Sequence, residues 1–178
     1  MLPRFAGPVV LRRLAASDLG DFQQYRSDPL VGQYQGWTRT SDAEAAAFLE
    51  EMAAAPLLRP GRWSQIGIAD RTTLRLLGDI GLFLRDDGRE SEIGFTLRRE
   101  SQGRGLGVAA VRAAVELVSE QTDVERVLGI TDARNEACIR LLQRVGMERL
   151  ESREATFRGE ACIEHVYAAR RESCAGSR

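Results

Sequence analysis

The 178-residue sequence predicts a mixed α/β domain with a mostly antiparallel sheet and helices on both faces. Three observations carry that expectation. Residues 63–69 (WSQIGIA), 74–84 (LRLLGDIGLFL) and 91–97 (SEIGFTL) read as successive strands separated by turns, the second containing 87-DG-88. Directly afterwards, 101-SQGRGLGVAAVRAAVEL-117 switches from a glycine-rich turn to helical periodicity, with Val108, Val111, Val115 and Val118 on one stripe. Only one more strand–helix unit follows before two closing strands, so the chain is not an alternating βαβα array.

Each element has a local reason. Residues 9–14 (VVLRRL) form a first strand, and Ser17 with Asp18 can cap a short helix at about 18–26. The segment 41-SDAE-44 is a capping box, opening a helix with Ala45, Phe48, Leu49 and Met52 on its apolar side. Two prolines and a glycine make 56–63 a loop. After the helix at 107–119, residues 124–131 (VERVLGIT) give a strand. A helix over 135–145 carries Cys138, Leu141, Leu142 and Val145 on one face and stops at Gly146. Strands 148–157 and 161–170 close the chain around 158-RGE-160, giving about seven strands in all. The expected organisation is a single domain over 1–170 with a frayed tail at 171–178.

The totals exclude some functions. All 25 basic residues are arginine, so no Walker lysine, Schiff-base lysine or lysine general base exists. A formal net charge of −1 supplies no general attraction to nucleic acid or anionic membrane, and neither partner is expected. Cys138, Cys162 and Cys174 are odd in number and lack metal-ligand spacing, which points to free thiols in a reducing compartment and to no metal. No apolar run is long enough for a membrane span or a secretory h-region, so a cytoplasmic location is expected. A homodimer is allowed by the sequence and not specified by it.

The glycine stretch asks for a ligand. A strand ends, glycines follow at 103, 105 and 107, and a helix starts, so backbone N–H groups face outward where the helix dipole favours an anion such as phosphate. A dinucleotide turn needs G-x-G-x-x-G, but 103-GRGLGV-108 has Val108 in the last position. Asp132 could serve as a ribose carboxylate, yet only one further βα unit follows. A third pattern fits. Gln102-x-x-Gly105-x-Gly107, placed between a meander and a helix, resembles the Q/R-x-x-G-x-G/A signature of the GNAT acyltransferases. Asn135-x-Ala137-Cys138 and 141-LLQRVGM-147 resemble that family's second block, and the likeness extends over 92-EIGFTL-97 and the closing hairpin. Within the superfamily the chain looks like the branch containing ribosomal-protein N-terminal acetyltransferases.

The resemblance implies a GNAT fold with two central strands splayed apart to bind acyl-coenzyme A. It implies transfer of an acetyl group from acetyl-coenzyme A to a primary amine, a peptide N-terminus or small amine, by direct attack. The pyrophosphate would lie on Gln102, Gly103, Arg104, Gly105, Leu106, Gly107 and Val108. Pantetheine would pair with residues 96–98, bringing in Leu97 and Arg98, with the Leu97 N–H as donor to the thioester carbonyl. Arg140 is a further phosphate candidate, whereas Arg144 reads as part of a solvated face. Asn135 would cap its helix and hydrogen-bond the pantetheine amide. Cys138 stands where relatives carry serine and either donates a proton to the departing thiolate or simply packs. Glu92 is the first candidate base and Asp79 the second, while Tyr34, Trp37 and His165 are candidate acceptor-site residues. Many relatives have a tyrosine where this chain has Leu142. That departure keeps open the alternative of a non-catalytic acyl-coenzyme A-binding module.

Overall fold

A computed structural model describes residues 1–170; the expected tail at 171–178, with Cys174, lies outside them. The described residues build one eight-stranded sheet. Strands β1 (Arg4–Ala6), β2 (Val9–Arg12), β3 (Trp63–Asp70), β4 (Leu76–Leu84) and β5 (Glu90–Leu97) run in sequence order. They are followed across the sheet by β6 (Arg126–Asp132), β8 (Glu160–Arg170) and, at the edge, β7 (Glu148–Phe157). All neighbours are antiparallel except β5 and β6. The strand absent from the sequence-based expectation is β1. Three residues are too short for an alternating pattern, and a turn at Gly7 (φ +56°) folds them onto β2.

Helices α1 (Leu19–Arg26), α2 (Pro29–Gly32) and α3 (Asp42–Ala54) cover one face, where Phe22, Tyr25, Leu49 and Met52 form a small core with Leu14 and Leu76. The predicted capping box opens α3, Ser41 and Glu44 each bonding the other's backbone N–H. Helix α4 (Leu106–Gln121) covers the opposite face. It buries Ala110, Val111, Ala114, Leu117 and Val118 against Val9, Leu11, Ile66, Ile80 and Ile93. Val108 and Val115 are only half-buried, so the inward stripe is rotated from the valine row and uses alanines for close approach. Helix α5 (Glu136–Val145) packs on β6 through Leu142 and ends at Gly146 (φ +97°), the predicted left-handed terminator.

One irregularity positions everything that follows. β4 and β5 pair over seven residues, from Leu84↔Ser91 to Gly78↔Leu97, whereas β5 and β6 pair only at Glu90↔Arg126, Ser91↔Val127 and Glu92↔Leu128. Beyond Glu92 the two strands diverge, opening a wedge in the middle of the sheet.

Candidate active site

Arg98 N–H bonds the Leu77 carbonyl on β4, so even-numbered residues of β5 hydrogen-bond toward β4. The backbone of Phe95 and Leu97 therefore turns toward the wedge. Their carbonyls are met by side chains: Gln35 Nε2 donates to Phe95 O (3.1 Å) and Gln102 Nε2 to Leu97 O (2.9 Å). The Leu97 N–H, the candidate thioester-carbonyl donor, points into the opening.

Two cavities meet there. One of about 410 Å³ lies on the α4–α5 side, lined by Leu97, Gln102, Gly103, Gly105, Gly107, Val108, Asn135, Cys138, Arg140, Leu141 and Arg144. The other, about 290 Å³, is lined by Glu92, Gly94, Ile130, Asp132, Phe157, Cys162 and Glu164. Tyr34, Gln35, Phe95, Asn135 and Cys138 line both, so the two form one passage through the wedge.

The first cavity is built for an anion. Gly103 (φ +72°) and Gly105 (φ +78°) hold left-handed backbone and would leave any Cβ in open space. Gly105 is the N-cap of α4, which has no side-chain cap and no acidic residue in its first turn. Helical bonding starts at Ala109 N to Gly105 O (3.1 Å), so the N–H groups of Leu106, Gly107 and Val108 precede any intrahelical partner. Gly107 has a different reason to be glycine. A Cβ there would sit 2.7 Å from Leu141 Cδ1 and 3.0 Å from Leu97 Cδ1, so it lets α5 and β5 close on α4. The Leu106 side chain is core, and Arg104 does not line the cavity. The Asp70 carboxyl is held below its ordinary range chiefly by hydrogen bonds from Thr73 and Thr72, with Arg104 adding a smaller pull. Arg144, expected to be only solvated, does line the cavity; Arg140 lines it too, in a surface pair with Glu136 (2.9 Å).

Asn135 caps α5 as expected, its Oδ1 accepting from Cys138 N at 3.1 Å. Cys138 is half-buried at the junction of the cavities, and burial pushes its thiol pKa up, partly offset by a hydrogen bond with Thr131. The group is thus a neutral thiol at neutral pH. Packing against Leu142 and Met147 makes it a small core residue first. Cys138→Ala should therefore lower the melting temperature, at a cost of order 1 kcal/mol, with turnover barely changed. Cys138→Ser should be the less stable of the two. Melting temperature and turnover of both variants check this, and a turnover loss in alanine that serine repairs would assign the thiol to proton donation.

Glu92 is the last β5 residue paired with β6, so its side chain stands where the wedge begins, on the face opposite α4. Burial raises its pKa above the ordinary 4.5; Arg85 and Arg153 pull it back, and Glu164 adds to the rise. The neighbouring carboxylates are paired, Asp132 with Arg134 (2.7 Å) and Glu164 with Arg153 (3.2 Å).

Several expected site residues lie elsewhere. Asp79 is buried beneath α1, bonded by Tyr25 Oη, by Gln65 Nε2 (2.6 Å) and by Arg26 Nη2 (3.2 Å), and does not reach the passage. Trp37 anchors its loop: Arg26 stacks on its ring at 4.5 Å and its Nε1 lies 3.4 Å from Thr96 Oγ1. His165 pairs with Thr131 and Ser152 on the α5 side of the sheet, its Nδ1 2.9 Å from Ser152 Oγ, and lines neither cavity. The Arg98 side chain is buried against Asp21 (3.1 Å) and Gln24, and its N–H is committed to β4. Tyr34 is the candidate acceptor-site residue that does line the passage. Gln35 and Glu164 escaped sequence reasoning, and Asp132 was weighed only as a ribose carboxylate; the β6–β8 register, which sets Glu164 opposite Asp132, was the missing signal. Among the described residues no group of three or more His, Cys, Asp or Glu could hold a metal, and no helix is long and apolar enough to cross a membrane.

The acetyltransferase (GNAT) domain family model matches residues 9–148, which covers the wedge, the glycine loop and α5. The chain belongs to the GNAT acetyltransferase family. It is 25% identical over 142 residues to the uncharacterized N-acetyltransferase p20 of Bacillus licheniformis, covering 79% of each protein. Its fold matches a GNAT-family acetyltransferase from Bacillus anthracis with a TM-score of 0.83 at 18% identity, over 95% of this chain and 98% of that one. It also matches RimL, the ribosomal L7/L12 alpha-N-protein acetyltransferase, solved with coenzyme A in disulfide linkage to a cysteine. That TM-score is 0.80 at 16% identity, over 94% and 97% of the two chains.

Proposed function

We propose that this GNAT acetyltransferase moves an acetyl group from acetyl-coenzyme A to a primary amine that enters from the Glu92 side of the wedge. The observation that carries it is the single passage: an uncapped helix N-terminus on one side, a carboxylate with raised pKa on the other, and the free edge of β5 between them. Gly103, Gly105 and the N–H groups of residues 106–108 would hold the pyrophosphate, with Arg140 and Arg144 beside it. The edge of β5 and Asn135 would align pantetheine. RimL, crystallised with coenzyme A, supports that assignment by its shared fold.

Acetyl-coenzyme A supplies an activated acyl group on a good leaving group. The protein's own part is to orient the amine, take its proton and stabilise charge. Glu92 takes the proton, directly or through a water. The Leu97 N–H donates to the acyl oxygen, where negative charge grows in the transition state. As the amide forms, the C–S bond breaks and the departing coenzyme A thiolate takes a proton from solvent. Cys138, at the junction of the two cavities, would lie beside that sulfur and shape the pocket.

The acceptor cavity carries Glu92, Asp132 and Glu164, and no arginine lines it among the described residues. Arg134 and Arg153, outside the lining, pair with Asp132 and Glu164, so Glu92 is the carboxylate that favours an ammonium there and disfavours a carboxylate next to it. Peptide N-termini and simple amines suit this lining better than free amino acids. The experiment is thiol release from acetyl-coenzyme A with paired acceptors, each an amino acid and its amide, together with short peptides. The amides and peptides should react at least ~10-fold faster than the free acids, the scale of one favourable charge contact. Coenzyme A binding without thiol release for any amine would make the chain a binding module.

A further inference from the structure

The β7–β8 hairpin continues past the end of β6: β8 pairs with β6 only over Glu164–Arg170, and its residues 160–163 pair with β7 alone. Its tip is unusual. Arg158 and Gly159 both hold positive φ (+50° and +84°), and arginine is not a residue that favours left-handed backbone. Strain of that kind persists when the surrounding structure uses the side chain. Here the guanidinium is used: Arg158 Nη2 donates to the carbonyls of Gly32 (3.3 Å), Gln35 (3.0 Å) and Trp37 (3.1 Å). Three carbonyls, one at the end of α2 and two in the α2–α3 connection, converge on one nitrogen across a gap of more than 120 residues of sequence.

That connection carries Tyr34 and Gln35, which line both cavities. Gln35 also bridges to Phe95 O on β5, and the neighbouring Phe157 of the hairpin lines the acceptor cavity. We infer that Arg158 is a positioning residue: it clasps the 32–37 segment over the wedge and so sets the shape of the acceptor cavity. This rests on the acceptor assignment made above for its kinetic consequence, but not for the clasp itself.

The clasp and its consequence can be tested separately. Arg39, exposed on the clasped connection, offers a trypsin site, and Arg89 in the β4–β5 turn serves as an internal reference. Arg158→Asn deletes the guanidinium while placing Asn-Gly, the preferred pair, in a turn with two positive φ values. Its melting temperature should therefore not fall. Cleavage at Arg39 relative to Arg89, followed by mass spectrometry, should nevertheless accelerate ~10-fold, as expected for losing hydrogen bonds from a charged donor. The KM for the amine should rise by a similar factor with kcat changed less, and Arg158→Lys should recover part of both effects. Unchanged Arg39 protection would overturn the clasp. Faster cleavage with an unchanged amine KM would overturn the positioning role. Should the wild-type protein acetylate no amine, the functional reading fails, while Arg39 protection still decides the clasp.

Discussion

Gly105→Asp should abolish coenzyme A binding. Gly105 sits at φ +78° with nothing within 4 Å of a built Cβ, so the aspartate side chain would project into the space before the α4 N-terminus. Two costs add. The left-handed conformation penalises a residue with a Cβ by ~1–2 kcal/mol, and a carboxylate at the helix start competes with the pyrophosphate for the same N–H groups. Aspartate is often a good N-cap, but from extended backbone, which this position does not adopt. Calorimetry with coenzyme A should show one site per wild-type chain and no heat for the variant, and no binding of NAD by either. Gly105→Ala, which carries the strain without the charge, should fall between. A Gly105→Asp protein that binds normally would remove the glycine loop from the site.

Glu92→Gln should cut turnover by ~10²-fold, the low end for general-base help, with coenzyme A affinity nearly intact. The sign of the pH dependence follows from the environment. A base works in its ionised form, and burial raises the Glu92 pKa above 4.5, so wild-type activity should fall as pH drops through a value above the ordinary glutamate range. The variant should lose that acidic limb and keep the basic-side behaviour set by the amine. The effect should be largest for alkyl amines, whose pKa of ~10 leaves few neutral molecules at pH 7, and smaller for peptide N-termini near ~8. An unchanged rate and profile would pass proton removal to solvent, because Asp79 is buried with three partners and out of reach.

Much of this was legible in the residues because it depends on local rules. The turn glycines, the Ser41–Glu44 box, the Asn135 cap and the Gly146 stop each act within a few positions. The meander and the single further strand–helix unit were also legible as an order of elements along the chain, but the insertion of β8 between β6 and β7 was not. What sequence could not supply was register. Whether Asp79 or Glu92 faces an open cavity depends on what covers each: α1 seals the first, and the divergence of β6 uncovers the second. His165 failed for a related reason, since one step along β8 separates it from Glu164, which lines the acceptor cavity on the other face. Trp37 looked like a wall of the site, but Arg26 and Thr96 hold it as an anchor. Arg158 carried no sequence signal, because its partners are backbone carbonyls in a distant segment.

Hydrogen exchange with and without coenzyme A is the most direct measurement, because the bound ligand should cover particular backbone N–H groups. Peptides spanning 93–98 and 102–110 should become protected, with a smaller effect at 134–139, while β1 to β3 stay unchanged. Protection confined to other segments, or none at all under saturating coenzyme A, would contradict the placement of the acyl donor in the wedge between β5 and β6.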